Sequence, residues 1–359
     1  MATIVFSGGG SAGHIEPALA VARAWRKLHP SDVIVFIGTK FGLENILVPS
    51  SGFTLAHIPK VAISRKPSRS WFNIPFNLIA AVRASRIILK DADLLFGFGG
   101  YVSGPAYIAA RLSAIPIVIH EANVKPGWAN RLGGRLTPHV AIVSGIAGRK
   151  FAKAHVTGLP LRSDVEAAFS ASAHDWGRSR MEAKGRLGFD QNKPLIFIMG
   201  GSQGSVAINK TVEGAIPTLL DKGFSILHSV GRANPLPLAL GAYRPVAYVQ
   251  AMADAYLASD LIIGRSGAVT CSEFRTLGRY ALFIPLPVGN GEQFYNARSL
   301  VSEGRAEIIV QSEFTSQYLQ SSIDQLLLRS ALAPLEGSDL DVNSTSKIVA
   351  LGESAISAR

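Results

Sequence analysis

The stretch that decides the fold is Phe6-Ser-Gly-Gly-Gly-Ser-Ala-Gly-His14, a glycine-rich turn between a short apolar run and a helical pattern. Similar turns recur at Phe96-Gly-Phe-Gly-Gly-Tyr-Val-Ser-Gly-Pro105 and at Ile198-Met-Gly-Gly-Ser-Gln-Gly-Ser205. One such turn is common wherever a strand connects tightly to a helix. Three at equivalent places direct backbone N–H groups and helix N-termini at sites where phosphate can bind. We therefore predict two α/β halves that hold a phosphate-bearing ligand between them.

The composition indicates a globular chain of two domains. Its 359 residues exceed the usual length of one domain, and 48% of them are hydrophobic. The single cysteine, Cys271, excludes internal disulfides and fits a reducing compartment. The sequence opens on an apolar strand without a basic, signal-like segment, and we find no uncharged apolar run of about 18 residues. We expect a cytoplasmic protein without a signal peptide or a membrane-spanning helix.

The net charge of +11 is carried by the first half of the chain. Residues 1–160 hold 18 Lys or Arg against 6 Asp or Glu, whereas residues 161–359 hold 18 against 19. One strongly basic half and one nearly neutral half indicate that the two meet different partners.

Short apolar runs alternate with helical patterns throughout, as in βαβ units with parallel sheets. The runs are continuously apolar, which is typical of strands covered on both faces. In the first half we predict strands at Thr3–Ser7, Val33–Ile37, Thr54–Ile58, Leu94–Phe96, Ile117–His120 and Val140–Ser144. In the second half we predict them at Leu195–Met199, Ser225–Val230, Val246–Gln250, Asp260–Gly264, Ala281–Pro285 and Glu307–Val310. Pro17 is expected at the first position of the helix that follows the first strand.

A break near residue 161 divides the two patterns. We predict one Rossmann-like domain over residues 1–160 and another over 161–342. The tail Asn343–Ala355 predicts a last helix, which at about residues 343–359 could pack back on the first domain. Ligands of open parallel sheets bind beyond the carboxyl ends of the strands, where all three glycine turns lie. The fold class is therefore α/β, with two parallel-sheet domains facing across a cleft.

The first turn also matches the dinucleotide fingerprint G-x-G-x-x-G through Gly8, Gly10 and Gly13. A dehydrogenase would need an acid at the far end of the second strand to hold the ribose. Here Asp32 precedes that strand, which ends in Gly38-Thr39-Lys40. The dehydrogenase interpretation is therefore weak.

The ordered motifs resemble those of the MurG family of glycosyltransferases along nearly the whole chain. The motifs are Gly8-Gly-Gly-Ser-Ala-Gly-His14 with Pro17, Gly99-Gly-Tyr-Val-Ser-Gly-Pro105, His120-Glu-Ala-Asn123 with Pro126-Gly127, Gly158-Leu-Pro-Leu-Arg162, Gly200-Gly-Ser-Gln-Gly204, Arg265-Ser-Gly-Ala-Val-Thr-Cys-Ser-Glu273, and Gln293 with Asn296. The resemblance implies the two-domain GT-B architecture and inverting transfer of N-acetylglucosamine (GlcNAc) from UDP-GlcNAc. The implied acceptor is the MurNAc 4-hydroxyl of undecaprenyl-pyrophosphoryl-MurNAc-pentapeptide, in peptidoglycan synthesis.

The resemblance places the UDP-GlcNAc donor mainly on the second domain. Glu273 is expected on the ribose, the backbone of Val249 on the uracil edge, and Gln293 on a sugar hydroxyl. Backbone N–H groups of the third turn and of the helix that starts near Ala268 are expected to stabilise the diphosphate without a metal. The full set of donor-binding candidates is Ser11, Ala12, Gly13, Asn123, Arg162, Ser202, Gln203, Gly204, Val249, Ala268, Val269, Thr270, Glu273 and Gln293. Arg162 could instead pair with an acid, and Glu273 could be a solvated helix residue.

The catalytic candidate is His14. The positive end of the following helix should keep its imidazole neutral, as a general base for the acceptor hydroxyl requires. His14 could instead bind the acceptor pyrophosphate or brace the turn, and we expect His120 and Glu121 to be structural. The acceptor-binding candidates are Gly10, Gly99, Gly100, Tyr101 and Ser103.

Residues 45–90 contain no acid, and basic and apolar side chains alternate over 60–90. This pattern predicts a peripheral membrane face at the anionic inner leaflet of the cell membrane. Its members are Arg65, Lys66, Arg69, Trp71, Phe72, Phe76 and Arg83. Some of the apolar ones could belong to the core, and no recognised nucleic-acid motif accompanies the charge.

We expect no metal and no cofactor. The alternatives are a UDP-sugar epimerase, a transferase acting on diacylglycerol and a silent binding protein.

Overall fold

The computed structural model describes residues 1–61, 74–143, 151, 154–288 and 291–358. These residues form two compact units. Unit 1 comprises Met1–Arg162 and Asp341–Arg359, and unit 2 comprises Ser163–Leu340. The prediction of two α/β domains with parallel sheets is confirmed.

Unit 1 is built on a sheet of seven described strands in the order β3-β2-β1-β4-β5-β6-β7, with every pairing parallel. The strands are β1 Thr3–Ser7, β2 Val33–Gly38, β3 Thr54–His57, β4 Leu94–Gly97, β5 Ile117–Glu121, β6 Val140–Ile142 and β7 His155–Val156. The helices are α1 Ala12–Leu28, α2 Glu44–Ser50, α3 Ile74–Ile88, α4 Ser103–Leu112, α5 Trp128–Gly133 and α14 Ser344–Ser357. The central strands β1, β4 and β5 are almost wholly buried, because helices cover both faces of the sheet.

Unit 2 has six described strands in the order β10-β9-β8-β11-β12-β13, again all parallel. They are β8 Leu195–Met199, β9 Ser225–Ser229, β10 Tyr243–Val246, β11 Leu261–Gly264, β12 Ala281–Phe283 and β13 Ala306–Ile308. The helices are α6 Ser163–Ser172, α7 Trp176–Arg186, α8 Val206–Glu213, α9 Ile216–Asp221, α10 Met252–Ala258, α11 Ala268–Thr276, α12 Glu292–Ser302 and α13 Ser316–Leu332. No described helix of either unit is long and apolar enough to cross a membrane.

The helix α14 belongs to unit 1, although it follows unit 2 in the chain. Its buried Ile348 and Val349 share one apolar core with Trp25 and Phe96. At the point where the chain returns, the Leu159 N–H donates to the Asp341 carboxylate over 2.9 Å. The two segments of unit 1 are thus joined by both apolar packing and a buried hydrogen bond.

Two sequence expectations are wrong. Pro17 lies inside α1 rather than at its first position, because the helix already begins at Ala12 after the N-cap Ser11. The strand predicted at Val246–Gln250 is instead Tyr243–Val246, since Tyr243 to Val246 pair with β9. Pro245 sits in this strand without harm, because β10 is at the sheet edge and needs no N–H on its outer side.

Candidate active site

The strand order of unit 1 reverses between β1 and β4, which is where open parallel sheets bind ligands. The first and second glycine turns follow these two strands and touch each other through backbone. Gly100 has a φ of +82°, and a side chain there would collide with the Gly9 carbonyl oxygen. The two turns therefore form one continuous surface at this sheet edge.

His14 is the third residue of α1 and is half-buried beside this surface. The N-cap Ser11 does not use its hydroxyl to cap the helix; its Oγ shares a hydrogen bond of 3.1 Å with His14 Nδ1. The helix therefore starts earlier than the sequence predicted and carries the histidine on its first turn. That position is where the helix dipole disfavours an imidazolium.

A buried carboxylate, Glu44 at the start of α2, lies beneath the first turn. Its Oε2 accepts the Gly10 N–H over 3.1 Å. Its Oε1 accepts the Thr39 N–H over 3.1 Å and the Tyr101 hydroxyl over 3.1 Å. Three loops at the carboxyl ends of β1, β2 and β4 are joined through this one side chain.

The structure places the acceptor candidates together on these turns. Some of their polar groups already form hydrogen bonds within the protein. Ser103 is fully buried, and its hydroxyl donates to the Ser7 and Gly99 carbonyl oxygens over 3.1 and 2.7 Å. The Gly10 N–H is bound by Glu44. Burial raises the pKa of Tyr101; the Thr39 hydrogen bond lowers it, and the Glu44 charge raises it further. A contact through the Ser103 hydroxyl or the Gly10 N–H would have to displace an internal bond.

The loop after β5 is organised by Glu121, which is buried. Its Oε1 accepts the Asn123 N–H over 2.9 Å, and its Oε2 accepts from the Gly127 N–H and Asn130 Nδ2, each over 3.0 Å. His120 is buried as well, and burial lowers its pKa to about 4. The half-buried Asn123, a donor-binding candidate, thus lies in unit 1 on a loop that is hydrogen-bonded to Glu121.

In unit 2 the strand order reverses between β8 and β11. The third glycine turn follows β8, and a side chain at Gly204, whose φ is +75°, would collide with the Val230 carbonyl oxygen. Ser205 caps α8, accepting the Ile208 N–H over 3.4 Å. Ser202 is half-buried and Gln203 exposed, so the turn presents its tip at the sheet edge.

Arg265 stands beneath this turn and is buried. Its Nη2 donates to Ser205 Oγ over 2.8 Å and to Gln311 Oε1 over 2.7 Å. Its Nη1 donates to the Ile284 and Pro285 carbonyl oxygens over 2.9 and 3.2 Å. The guanidinium joins the ends of β8, β11 and β12 and places a fixed positive charge under the turn.

The helix α11 follows β11, and Ala268, Val269 and Thr270 form its half-buried first turn. Glu273, the ribose candidate, is fully buried, and the Tyr256 hydroxyl donates to its Oε2 over 3.0 Å. Burial also raises the pKa of the neighbouring Cys271 thiol to about 12, which makes that cysteine inert. The structure therefore presents the α11 N-terminus at the edge and holds Glu273 inside.

The remaining candidates are spread over both units. Val249 is buried in the loop after β10, and Gln293 on α12 accepts the Leu286 N–H over 3.0 Å. Arg162 is half-buried at the end of the first segment of unit 1, and the α1 residues Ser11, Ala12 and Gly13 also lie in unit 1. Among the described residues no cluster of His, Cys, Asp or Glu could hold a metal ion.

Of the proposed membrane face, Phe76 and Arg83 lie on α3 and are exposed. The other members, Arg65, Lys66, Arg69, Trp71 and Phe72, lie outside the described residues.

Glu44, Arg265 and Asn130 are the residues to which sequence reasoning gave no role. Arg265 stood inside a quoted motif, so its position was a usable signal. The Glu44 carboxylate, by contrast, looks in sequence like any acid on an exposed helix start.

Comparison with known proteins assigns both units. Residues 4–142 match the glycosyltransferase family 28 N-terminal domain, and residues 195–342 match the glycosyltransferase family 28 C-terminal domain. The UDP-N-acetylglucosamine–N-acetylmuramyl-(pentapeptide) pyrophosphoryl-undecaprenol N-acetylglucosamine transferase of Corynebacterium glutamicum strain R is 43% identical over 330 residues, 90% of this chain and 89% of the relative. The protein of the same name from Corynebacterium diphtheriae is 44% identical over 330 residues, 90% of this chain and 88% of the relative. The crystal structure of Acinetobacter baumannii MurG superimposes with a TM-score of 0.70 at 26% identity, covering 99% of this chain and 100% of that one.

Proposed function

This chain belongs to glycosyltransferase family 28, and we propose that it transfers GlcNAc from UDP-GlcNAc to undecaprenyl-pyrophosphoryl-MurNAc-pentapeptide. The observation that carries this function is identity of 43% over 90% of the chain, spanning both units, to a transferase of that name. A relative that matched only one half of the chain would leave the acceptor open; here both halves are matched.

We propose that unit 2 holds the UDP-GlcNAc. The third turn and the N-terminus of α11 supply backbone N–H donors, and Arg265 adds a positive charge beneath them. Such preorganised donors stabilise the charge that develops on a departing diphosphate. The uracil and ribose contacts at Val249 and Glu273 belong to the same proposal.

We propose that unit 1 activates the acceptor through His14. The 4-oxygen of MurNAc forms a bond to C1 of GlcNAc, the bond from C1 to the UDP oxygen breaks, and attack from the opposite face inverts C1. UDP leaves with the electron pair, and His14 takes the hydroxyl proton. For this role Nδ1 must carry its proton and donate to Ser11 Oγ, so that Nε2 accepts the proton from the acceptor.

We also propose that unit 1 binds the cytoplasmic face of the cell membrane peripherally. On α3, Phe76 is 73% exposed and Ile87 is 77% exposed, and both stand among the exposed cations Arg83 and Arg86. Apolar side chains among cations are typical of interfacial helices. Flotation with liposomes tests this: binding should require anionic lipid and weaken with salt. Equal binding to neutral liposomes would contradict the electrostatic part.

The deciding experiment is turnover of labelled UDP-GlcNAc with a lipid-linked muramyl pentapeptide acceptor. Formation of a labelled lipid disaccharide, together with free UDP, supports the proposed function. Conversion of UDP-GlcNAc to its 2-epimer without acceptor would identify an epimerase, and transfer to diacylglycerol alone would identify a different transferase. Binding of UDP without any turnover would identify a silent binding protein.

A further inference from the structure

The Glu44 side chain is enclosed by the site of unit 1 yet takes no part in the chemistry proposed above. It is fully buried. Its two oxygens accept four hydrogen bonds, from the Gly10 and Thr39 N–H groups and from the Tyr101 and Thr39 hydroxyls. All four donors are neutral, and among the described residues Glu44 forms no salt bridge. Burying a carboxylate without a cation is costly, and here hydrogen bonds from two N–H groups and two hydroxyls offset that cost.

The surrounding backbone is shaped to this carboxylate. A side chain at Gly42 would collide with Glu44 Oε2, and a Cβ at Gly38 would come within 2.6 Å of Glu44 Cγ. A Cβ at Gly9, in the first glycine turn, would lie 3.3 Å from Glu44 Oε1. Glycines on two loops therefore leave room for the carboxylate.

The carboxylate couples the first turn to Tyr101. A Cβ at Gly10 would come within 2.7 Å of the Tyr101 ring, so turn and ring are already in contact. Glu44 adds a bond to each, from Gly10 N and from the Tyr101 hydroxyl. Lys60 lies over the Tyr101 ring, 5.5 Å from its centroid. Tyr101 is thus held with its hydroxyl toward an anion and its ring near a cation.

We propose that Glu44 is a positioning residue for the acceptor, which fixes Tyr101 and the first glycine turn as one unit. The inference rests on the proposed function, because it takes unit 1 as the acceptor side. Glu44 does not touch substrate; it acts through Tyr101 and Gly10. An amide cannot replace it, since the NH₂ of a glutamine would face either the Gly10 N–H or the donors on Oε1.

The test is Glu44→Gln, with Glu353→Gln as the matched control on a partly exposed glutamate of the same unit. Glu44→Gln is expected to lower kcat/KM for the lipid acceptor by about 10- to 100-fold, the usual effect of losing hydrogen bonds to a charged group. KM for UDP-GlcNAc should stay within about twofold, because no Glu44 bond reaches unit 2. Glu353→Gln should leave both constants unchanged.

Two further measurements separate positioning from mere folding. The double variant with Tyr101→Phe and Glu44→Gln should lose less acceptor kcat/KM than the product of the two single losses. Both changes break the same hydrogen bond, so their effects should not multiply. In ultraviolet titration, the tyrosinate signal that Tyr101→Phe removes should appear at lower pH in the Glu44→Gln background. If Glu44→Gln fails to fold, Tyr101→Phe and Thr39→Val, which each remove one member of the network, test the same coupling.

Three outcomes would overturn the inference. They are an unchanged acceptor kcat/KM in folded Glu44→Gln, full additivity with Tyr101→Phe, or an unmoved Tyr101 titration. A wild-type protein that turns over no lipid acceptor would instead contradict the proposed function. The Tyr101 titration, and the coupling of Glu44 and Tyr101 in the free energy of unfolding, could still be measured.

Discussion

The two units join the loops beyond their strands through buried side chains of opposite charge. In unit 1 the loops beyond the strands are joined by a buried carboxylate, Glu44, and in unit 2 by a buried guanidinium, Arg265. A carboxylate only accepts hydrogen bonds, so Glu44 consumes N–H groups of the loops it joins, including that of Gly10. A guanidinium only donates, so Arg265 binds carbonyl and hydroxyl oxygens and consumes no backbone N–H. The proposed function places the UDP diphosphate on unit 2, where the N–H donors are kept and a positive charge is added, and proton transfer on unit 1.

The largest expected effect tests whether proton transfer belongs to unit 1. His14→Ala should lower kcat by about 10²- to 10⁴-fold, the usual contribution of a general base. UDP affinity, measured by calorimetry, should be almost unchanged, because the change leaves unit 2 intact. A fall in kcat below about threefold would leave the base unassigned and weaken the contrast between the units.

Acid should destabilise both units alike, through one neutral buried histidine in each. Burial lowers the pKa of His120 in unit 1 and of His228 in unit 2 to about 4, from an ordinary value of 6.5. Because the unfolded chain binds these protons more readily, the stabilisation is complete above pH 6.5 and is lost as the pH falls towards 4. The loss is about 3 kcal/mol for each histidine. Denaturant unfolding at a series of pH values measures it, and His120→Gln should flatten the dependence for unit 1 only.

Removing the guanidinium should affect the donor and spare the acceptor. Arg265→Met is expected to weaken UDP binding by about 10- to 100-fold, since it removes a buried charge and several charged hydrogen bonds. Arg265→Lys keeps the charge but reaches fewer oxygens, so its affinity for UDP should lie between that of Arg265→Met and that of the wild type. Calorimetry with UDP measures both variants, and exposed Arg178→Gln in the same unit is the control. A parallel rise in acceptor KM would contradict the separation of roles.

The smallest expected effect compares two turn hydroxyls. Ser202→Ala on the third turn should weaken UDP binding by about fivefold, the value of one neutral hydrogen bond of about 1 kcal/mol. Ser103→Ala in unit 1 should cost about 1 kcal/mol of stability, since its buried hydroxyl serves two carbonyl oxygens, and leave UDP binding alone. Equal effects on UDP binding would show that the second turn also meets the donor.

The sequence predicted those features that depend on local patterns. Apolar runs located nearly every strand, and β1 and β8 have the predicted bounds. Local patterns misplaced β10, because the residues after Val246 are as apolar as the strand, and only pairing with β9 distinguishes them. They also could not assign α14 to a unit, since its partners Trp25 and Phe96 lie more than two hundred residues away in the chain.

For the candidate site, too, the sequence predicted local features but not the contacts between distant residues. The glycine turns are visible in sequence because positive φ and close backbone approach demand glycine. The contacts of the charged residues beneath them are not, because Glu44 meets Tyr101, and Arg265 meets Ser205, only after the sheets have formed. The roles of individual site residues stay predictions, and the experiments above decide them.

The return of the chain to unit 1 has a consequence for biosynthesis. The core around Trp25 and Phe96 lacks Ile348 and Val349 until the ribosome has made all of unit 2. The nascent first segment of unit 1 therefore lacks part of the packing around Trp25 while unit 2 can already fold. Completion of unit 1 is therefore delayed until unit 2 has been synthesised.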